Sequence, residues 1–143
     1  MPEYWTRKYL KSQNRDGEIL NSVKKAGNYI LPRFVGSKYE EVYLVLLDSR
    51  NKALACEKLG EGNVNMAEVN SRKVIETVLK HNAAGVILAH NHLSGVALPS
   101  PDDHLTTQKL RSALTIVGVN LYDHIIVAGE DFVSFRDSGL LEK

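Results

Sequence analysis

Residues 85–103 read GVILAHNHLSGVALPSPDD, and this stretch decides the fold. Gly85 to Ala89 is a short, fully apolar run, the pattern of a strand buried on both faces. His90-Asn91-His92 follows at its carboxyl end, then a loop holding Gly95, then Ser100-Pro101-Asp102-Asp103. Proline at the first helical position with acids in the first turn marks a helix start. The segment is therefore predicted as strand, loop and helix, with the histidines at the strand's end.

Working outward, the helix is predicted to run to about Val117 and to stop at Gly118. An apolar strand over 119–128 then pairs with 131–136 across Gly129-Glu130, and the tail reads as polar. Upstream, Asn70 or Ser71 caps a helix to about His81 with Val74, Ile75, Val78 and Leu79 on its buried stripe, and Gly85 follows Asn82 as a stop. Residues 59–67 carry two Gly and two Asn and read as a loop. EEVYLVLLD, residues 40–48, is a strand too continuously apolar for a solvated edge, and 53–58 returns as a hairpin partner across Ser49-Arg50-Asn51. Residues 18–35 place Leu20, Val23, Ala26, Gly27, Ile30 and Leu31 at helical spacing, with an end or kink near Pro32. Residues 1–17 lack a clear period and end at the turn signal Asp16-Gly17, so they form an N-terminal arm ahead of a domain over 18–143. Alternating strands and helices indicate a layered α/β or α+β domain.

The composition agrees. A chain of 143 residues with 43% hydrophobic and 24% charged residues is one ordinary globular domain. The lone cysteine, Cys56, excludes an intramolecular disulfide and a multi-cysteine zinc cage. No apolar run approaches the ~20 residues of a membrane span. Met1 to Lys11 lacks the apolar core of a secretory signal, and a reduced, cytoplasmic location is expected. The net charge of +1 excludes a strongly basic nucleic-acid binder on bulk electrostatics. It sums two unlike parts. Residues 1–39 hold eight Lys/Arg against three Asp/Glu, and residues 40–143 hold ten against fourteen. The basic part reads first as a solvated helix on an acidic body, and second as an arm with its own partner. Tyr4, Trp5, Arg7, Lys8 and Tyr9 fit either a docking segment or a single-strand binder.

The chemistry concentrates at the strand end. Side chains at i and i+2 of a strand share a face, so His90 and His92 converge there. The Gly95 loop can bring Asp103, in the first turn of the next helix, back over them. Two histidines and one carboxylate leave a fourth tetrahedral position open, the pattern of a catalytic zinc. Such a site needs a base for the proton of water and a donor for the developing oxyanion. Ser100 stands at the mouth of the same helix and can be that donor. Ser100-x-x-Asp103 also fits a capping box. The two roles are taken as exclusive, and the two histidines at their offset favour the metal.

The other candidates have plain readings. His104 is turned about 100° around the helix and reads as surface. His124, in an apolar strand, reads as a core or supporting imidazole, and His81 as a cation at a helix end. Asn91 points away from the histidine face, Asp102 serves the helix dipole, and Cys56 is a small buried hydrophobe.

His-x-His, seven residues, Ser, two residues, Asp resembles the metal motif of the JAMM (MPN-type) metallopeptidases, here His90, His92, Ser100 and Asp103. HNHLSGVALPSPDD is similar to the RadC branch of that superfamily. So, in the same order, are EEVYLVLLDSRNKAL, the EGNVN loop, the helix at 71–82 and YDHIIVAG, and the likeness spans about residues 20–140. The resemblance implies a three-layer α/β sandwich with a mixed central sheet, like the cytidine deaminases. It implies Zn2+ held by His90, His92 and Asp103, and Ser100 as the oxyanion partner. It also implies a Glu on an early strand as general base. Glu40 matches the pattern better than Glu41, and only one can serve because they face opposite ways. Leu93 stands where the family usually has Pro, and Val69-Asn70-Ser71 replaces its usual segment before the helix. Longer RadC proteins carry a helix-hairpin-helix module for DNA, and residues 1–35 are too short for it.

The leading expectation is a zinc metallohydrolase cleaving peptide or isopeptide bonds of a peptide or protein substrate. The alternative is a DNA-associated protein of repair or recombination, supported only by the basic residues 1–39. A deaminase-type zinc hydrolase is disfavoured, since its signature needs a Pro-Cys-x-x-Cys and the chain has only Cys56.

Overall fold

Ser22 opens the first helix, α1 (Val23–Ile30), with its hydroxyl accepting from the Lys25 amide. The computed structural model describes residues 17–62 and 69–141. Helix α1 begins five residues later than the periodicity suggests. Residues 17–20 are held extended instead, by backbone bonds from Gly17 to Ala53, Ala53 to Glu18 and Leu20 to Asn51. Leu20 is still buried, which is why its spacing mimicked the helix. Pro32 tightens the end of α1 into a 3-10 turn, Leu31–Phe34. The predicted N-terminal arm lies outside the described residues except for Gly17.

The sheet follows. Strand β1 (Glu40–Leu47) pairs antiparallel with β2 (Ala53–Gly62). The predicted loop at 59–67 thus starts later, because β2 runs on to Gly62 through irregularities that place an extra residue at Leu59 and at Leu54. Asn70 caps α2 (Ser71–Lys80), and the helix ends at His81. Asn82, at φ +51°, makes the left-handed stop that was expected from Gly85. Strand β3 (Gly85–Asn91) and helix α3 (Pro101–Ile116) come next, then β4 (Asn120–Ala128) and β5 (Asp131–Ser134). The sheet order is β2-β1-β3-β4-β5. Among the described residues only β3 and β4 run parallel, joined by the α3 crossover, so the domain is α/β with a mixed five-stranded sheet.

Alternation along the strands builds two cores. Val42, Leu44, Leu46, Val86 and Leu88 face Val74 and Val78 of α2 and Leu110 and Leu114 of α3. Tyr43, Val45, Leu47, Ile87 and Ala89 face Ala26, Tyr29 and Ile30 of α1. Among the described residues the result is three layers, with one helix on one face and two on the other. Leu79 is exposed rather than on the buried stripe of α2, where Thr77 is buried instead. Cys56 is only half-buried against the α1 core. The C-terminal segment is not simply polar, since Phe135 and Leu141 both enter the α2/α3 core. Among the described residues no helix is long and apolar enough to cross a membrane.

Candidate metal centre

The strand of 85–89 extends to Asn91, so both His90 and the residue after it belong to β3. The His92 amide continues the pairing by donating to the Val127 carbonyl at 2.8 Å. This rigid backbone aims His90 and His92 at the α3 face. The buried stripe of α3 changes character along its length, from Asp103, Thr106 and Thr107 near the site to Leu110 and Leu114 farther on. The loop between β3 and α3 turns at Gly95, whose φ of +84° suits glycine and few other residues.

The three side chains converge. His90 Nε2 lies 3.1 Å from His92 Nε2 and 3.1 Å from Asp103 Oδ1, and His92 Nε2 lies 3.4 Å from Asp103 Oδ2. Atoms bound at about 2.0–2.1 Å to a tetrahedral zinc are separated by roughly 3.3 Å. The Val96 carbonyl, which can only accept, takes a hydrogen bond from His92 Nδ1 at 3.0 Å. The Nε2 of a neutral His92 is therefore a bare lone pair. Asp103 Oδ1 is buried and has no hydrogen-bond partner; His90 Nε2 is near enough, but not along a donating direction. Burial pushes the Asp103 carboxyl up, while the adjacent His90 ring and the Ser100 amide pull it further down, so the net direction is down and the carboxylate is charged. Acceptors crowd together and one positive charge is missing. A metal cation fits that need, and His90, His92 and Asp103 can hold one.

The capping box forms beside the candidate metal cluster, and Asp103 takes part in both groupings. Ser100 Oγ accepts from the Asp103 amide at 3.1 Å, and Asp103 Oδ2 accepts from the Ser100 amide at 2.7 Å. A carboxylate has two oxygens, and the cap leaves Oδ1 for a ligand role. The Ser100 hydroxyl accepts in the cap, which keeps its own hydrogen free to donate.

Glu40 and Glu41 separate as the strand period requires. Glu40, half-buried at the start of β1, shares the face of Val42, which pairs with His90. Glu41 is buried on the other face. Lys58 Nζ reaches its carboxylate at 2.7 Å, Tyr43 OH donates at 3.3 Å, and Ser37 Oγ donates to its other oxygen. Asn91, between the two histidines, also turns to that face. It accepts from the Glu41 amide at 2.7 Å and donates to the Tyr39 carbonyl at 3.1 Å, clamping the start of β1 to the end of β3.

His124 supports the site, as expected, and is fully buried. Its Nε2 meets His90 Nδ1 at 3.0 Å, its Nδ1 meets Thr107 Oγ1 at 2.7 Å, and Phe135 stacks on its ring at 4.5 Å. Burial, then the nearby His90, hold its pKa well below the usual imidazole value. His104 is exposed, and His81 pairs with Glu57 at 2.9 Å. Sequence reasoning missed Thr107 and Phe135. Thr107 lies four residues after Asp103, one turn along the same helix face, and that spacing was its only signal.

A mixed-sheet α/β domain with a two-histidine, one-carboxylate cluster at a strand end, able to hold a metal, is consistent with a domain of the JAB/MPN type. The chain belongs to the RadC-like JAB domain family, which matches residues 20–140. It is 41% identical over 136 residues to the UPF0758 protein PSHAa2643 of Pseudoalteromonas translucida, covering 95% of this chain and 61% of that protein. A UPF0758 protein of Nitrosococcus oceani is 40% identical over 135 residues, covering 94% and 60%. The chain thus spans about three-fifths of the length of these curated relatives.

Proposed function

We propose that the chain is a zinc-dependent hydrolase of amide bonds, acting on peptide or isopeptide linkages of a peptide or protein substrate. The observation that carries this reading is the meeting of His90, His92 and Asp103 at 3.1–3.4 Å with an unpartnered buried carboxylate oxygen. Zinc suits two imidazoles and a carboxylate, and when bound it supplies a water nucleophile near neutral pH and polarises a carbonyl. Glu40, on the same sheet face, takes the proton of the attacking water and returns it to the leaving nitrogen. Ser100 donates its hydroxyl hydrogen to the oxygen of the attacked carbonyl. The cap fixes the Ser100 side chain, so this donor is positioned before substrate arrives.

Nothing among the described residues favours the DNA-associated reading, and half of the basic side chains in residues 1–39 lie in 1–16, outside them. The test is cleavage of a mixed library of peptides and lysine-isopeptides by the zinc-loaded protein. Cleavage is expected to stop with chelator, return with zinc, and be absent in Glu40→Gln, which still binds zinc. Cleavage that ignores chelator, or zinc-loaded protein that cuts no amide, overturns the reading.

A further inference from the structure

The buried polar atoms behind His90 form a closed path that starts and ends on metal ligands. The Asp103 carbonyl accepts from Thr107 Oγ1 at 2.7 Å, and a carbonyl has no hydrogen to give. The single Thr107 hydroxyl hydrogen is committed there. Thr107 Oγ1 can then only accept from His124, so His124 Nδ1 carries hydrogen across the 2.7 Å contact. His124 is fully buried, stacked on Phe135, and touches no carboxylate through its ring nitrogens, conditions that favour the neutral imidazole. Its Nε2 is therefore a bare acceptor. The 3.0 Å contact to His90 must be filled by a hydrogen on His90 Nδ1, which leaves His90 Nε2 bare toward His92 and Asp103.

We infer that Thr107 and His124 are positioning residues that fix His90 in the tautomer able to ligate metal, with the main chain of Asp103 as the anchor of the relay. The inference rests on the reading of His90 and Asp103 as metal ligands. The device differs from the usual support of a ligating histidine, a carboxylate or carbonyl in direct contact with the ring. Here a second histidine stands between, and the direction of the whole chain is set by one carbonyl. The loop also links two ligands on different elements: a shift of α3 that moves Asp103 pulls on the ring of His90 in β3. His92 has a separate anchor at Val96, so the two imidazoles are fixed independently.

Nitrogen-15 NMR of the histidine rings in the metal-free protein at pH 8 reads the tautomers directly. The wild type is expected to show His90 protonated at Nδ1 and bare at Nε2, and His124 protonated at Nδ1. Thr107→Val keeps the side-chain shape but removes the hydroxyl. It is expected to populate the opposite tautomer of His90 and to lower zinc affinity by about 10–100-fold, measured by competition with a chelating dye. Thr107→Ser is expected to restore both readings, which a change in packing alone would not do, and unfolding curves check that each variant is folded. His90 protonated at Nε2 in the wild type overturns the inference, as does a Thr107→Val protein with wild-type tautomer and zinc affinity. If the wild type takes up no zinc, the proposed function falls while the tautomer readout still decides the relay on its own.

Discussion

The two faces of β3 at its carboxyl end hold two buried polar clusters of opposite kinds. On the α1 face, Glu41 meets Lys58, Tyr43 and Ser37, and Asn91 bridges Glu41 and Tyr39, so donors and acceptors are matched. On the α3 face, a charged carboxylate oxygen and ring nitrogens meet within 3.1–3.4 Å and leave one oxygen without a hydrogen. The three consecutive residues His90-Asn91-His92 serve both clusters, because a strand turns each side chain opposite to the last. The comparison separates two uses of buried polarity. The matched cluster fixes the register of β1 on β3, and the unmatched one could hold a cation.

The comparison breaks most sharply at Asp103. Asp103→Asn keeps an oxygen for the Ser100 amide and so keeps the helix cap, but removes the charge. Zinc binding is expected to be lost while unfolding free energy stays within about 1 kcal/mol of wild type. Loss of folding and zinc together would show that the cluster is structural. Asn91→Ala is the mirror case. It removes two buried hydrogen bonds and is expected to cost about 1–3 kcal/mol in urea unfolding with zinc stoichiometry retained at saturating metal. A variant of unchanged stability would show that the Asn91 clamp adds nothing.

Gly27→Ala tests the α1 layer away from either cluster. Its new Cβ would run into the Phe132 ring, so either that ring or α1 must shift. Overpacking of this kind is expected to cost about 1–3 kcal/mol without touching zinc binding. The smallest effect is in acid. The folded pKa of Asp103 lies below its unfolded value of about 3.9. The group therefore adds stability above that value and loses it as pH falls through the lower folded value. Asp103→Asn is expected to lose less stability than wild type between pH 4 and pH 2 in metal-free unfolding, and an equal loss would show that Asp103 gains nothing from its partners.

Much of this was legible in the sequence, for identifiable reasons. The candidate cluster was readable because His90 and His92 share a strand face and Ser100-Pro101 fixes where α3 starts, both local rules. The strand's length was underread, because His90 and Asn91 are polar yet keep pairing with β4. The opposition of cap and ligand overlooked that a carboxylate has two oxygens: Oδ2 takes the cap and Oδ1 stays without a hydrogen-bond partner. The start of α1 was misplaced because Leu20 is buried from an extended segment, and burial alone does not reveal conformation. Thr107 and Phe135 were missed since their roles exist only once β4, α3 and the C-terminal segment meet around His124.

Metal binding on the α3 face of β3 underlies the proposed chemistry. Metal analysis of the purified protein after zinc exposure and gel filtration, wild type against His92→Ala, tests it most directly. One zinc per wild-type chain is expected, and none in a His92→Ala protein that remains folded. A wild type free of zinc, or a variant that keeps the full equivalent, would contradict it.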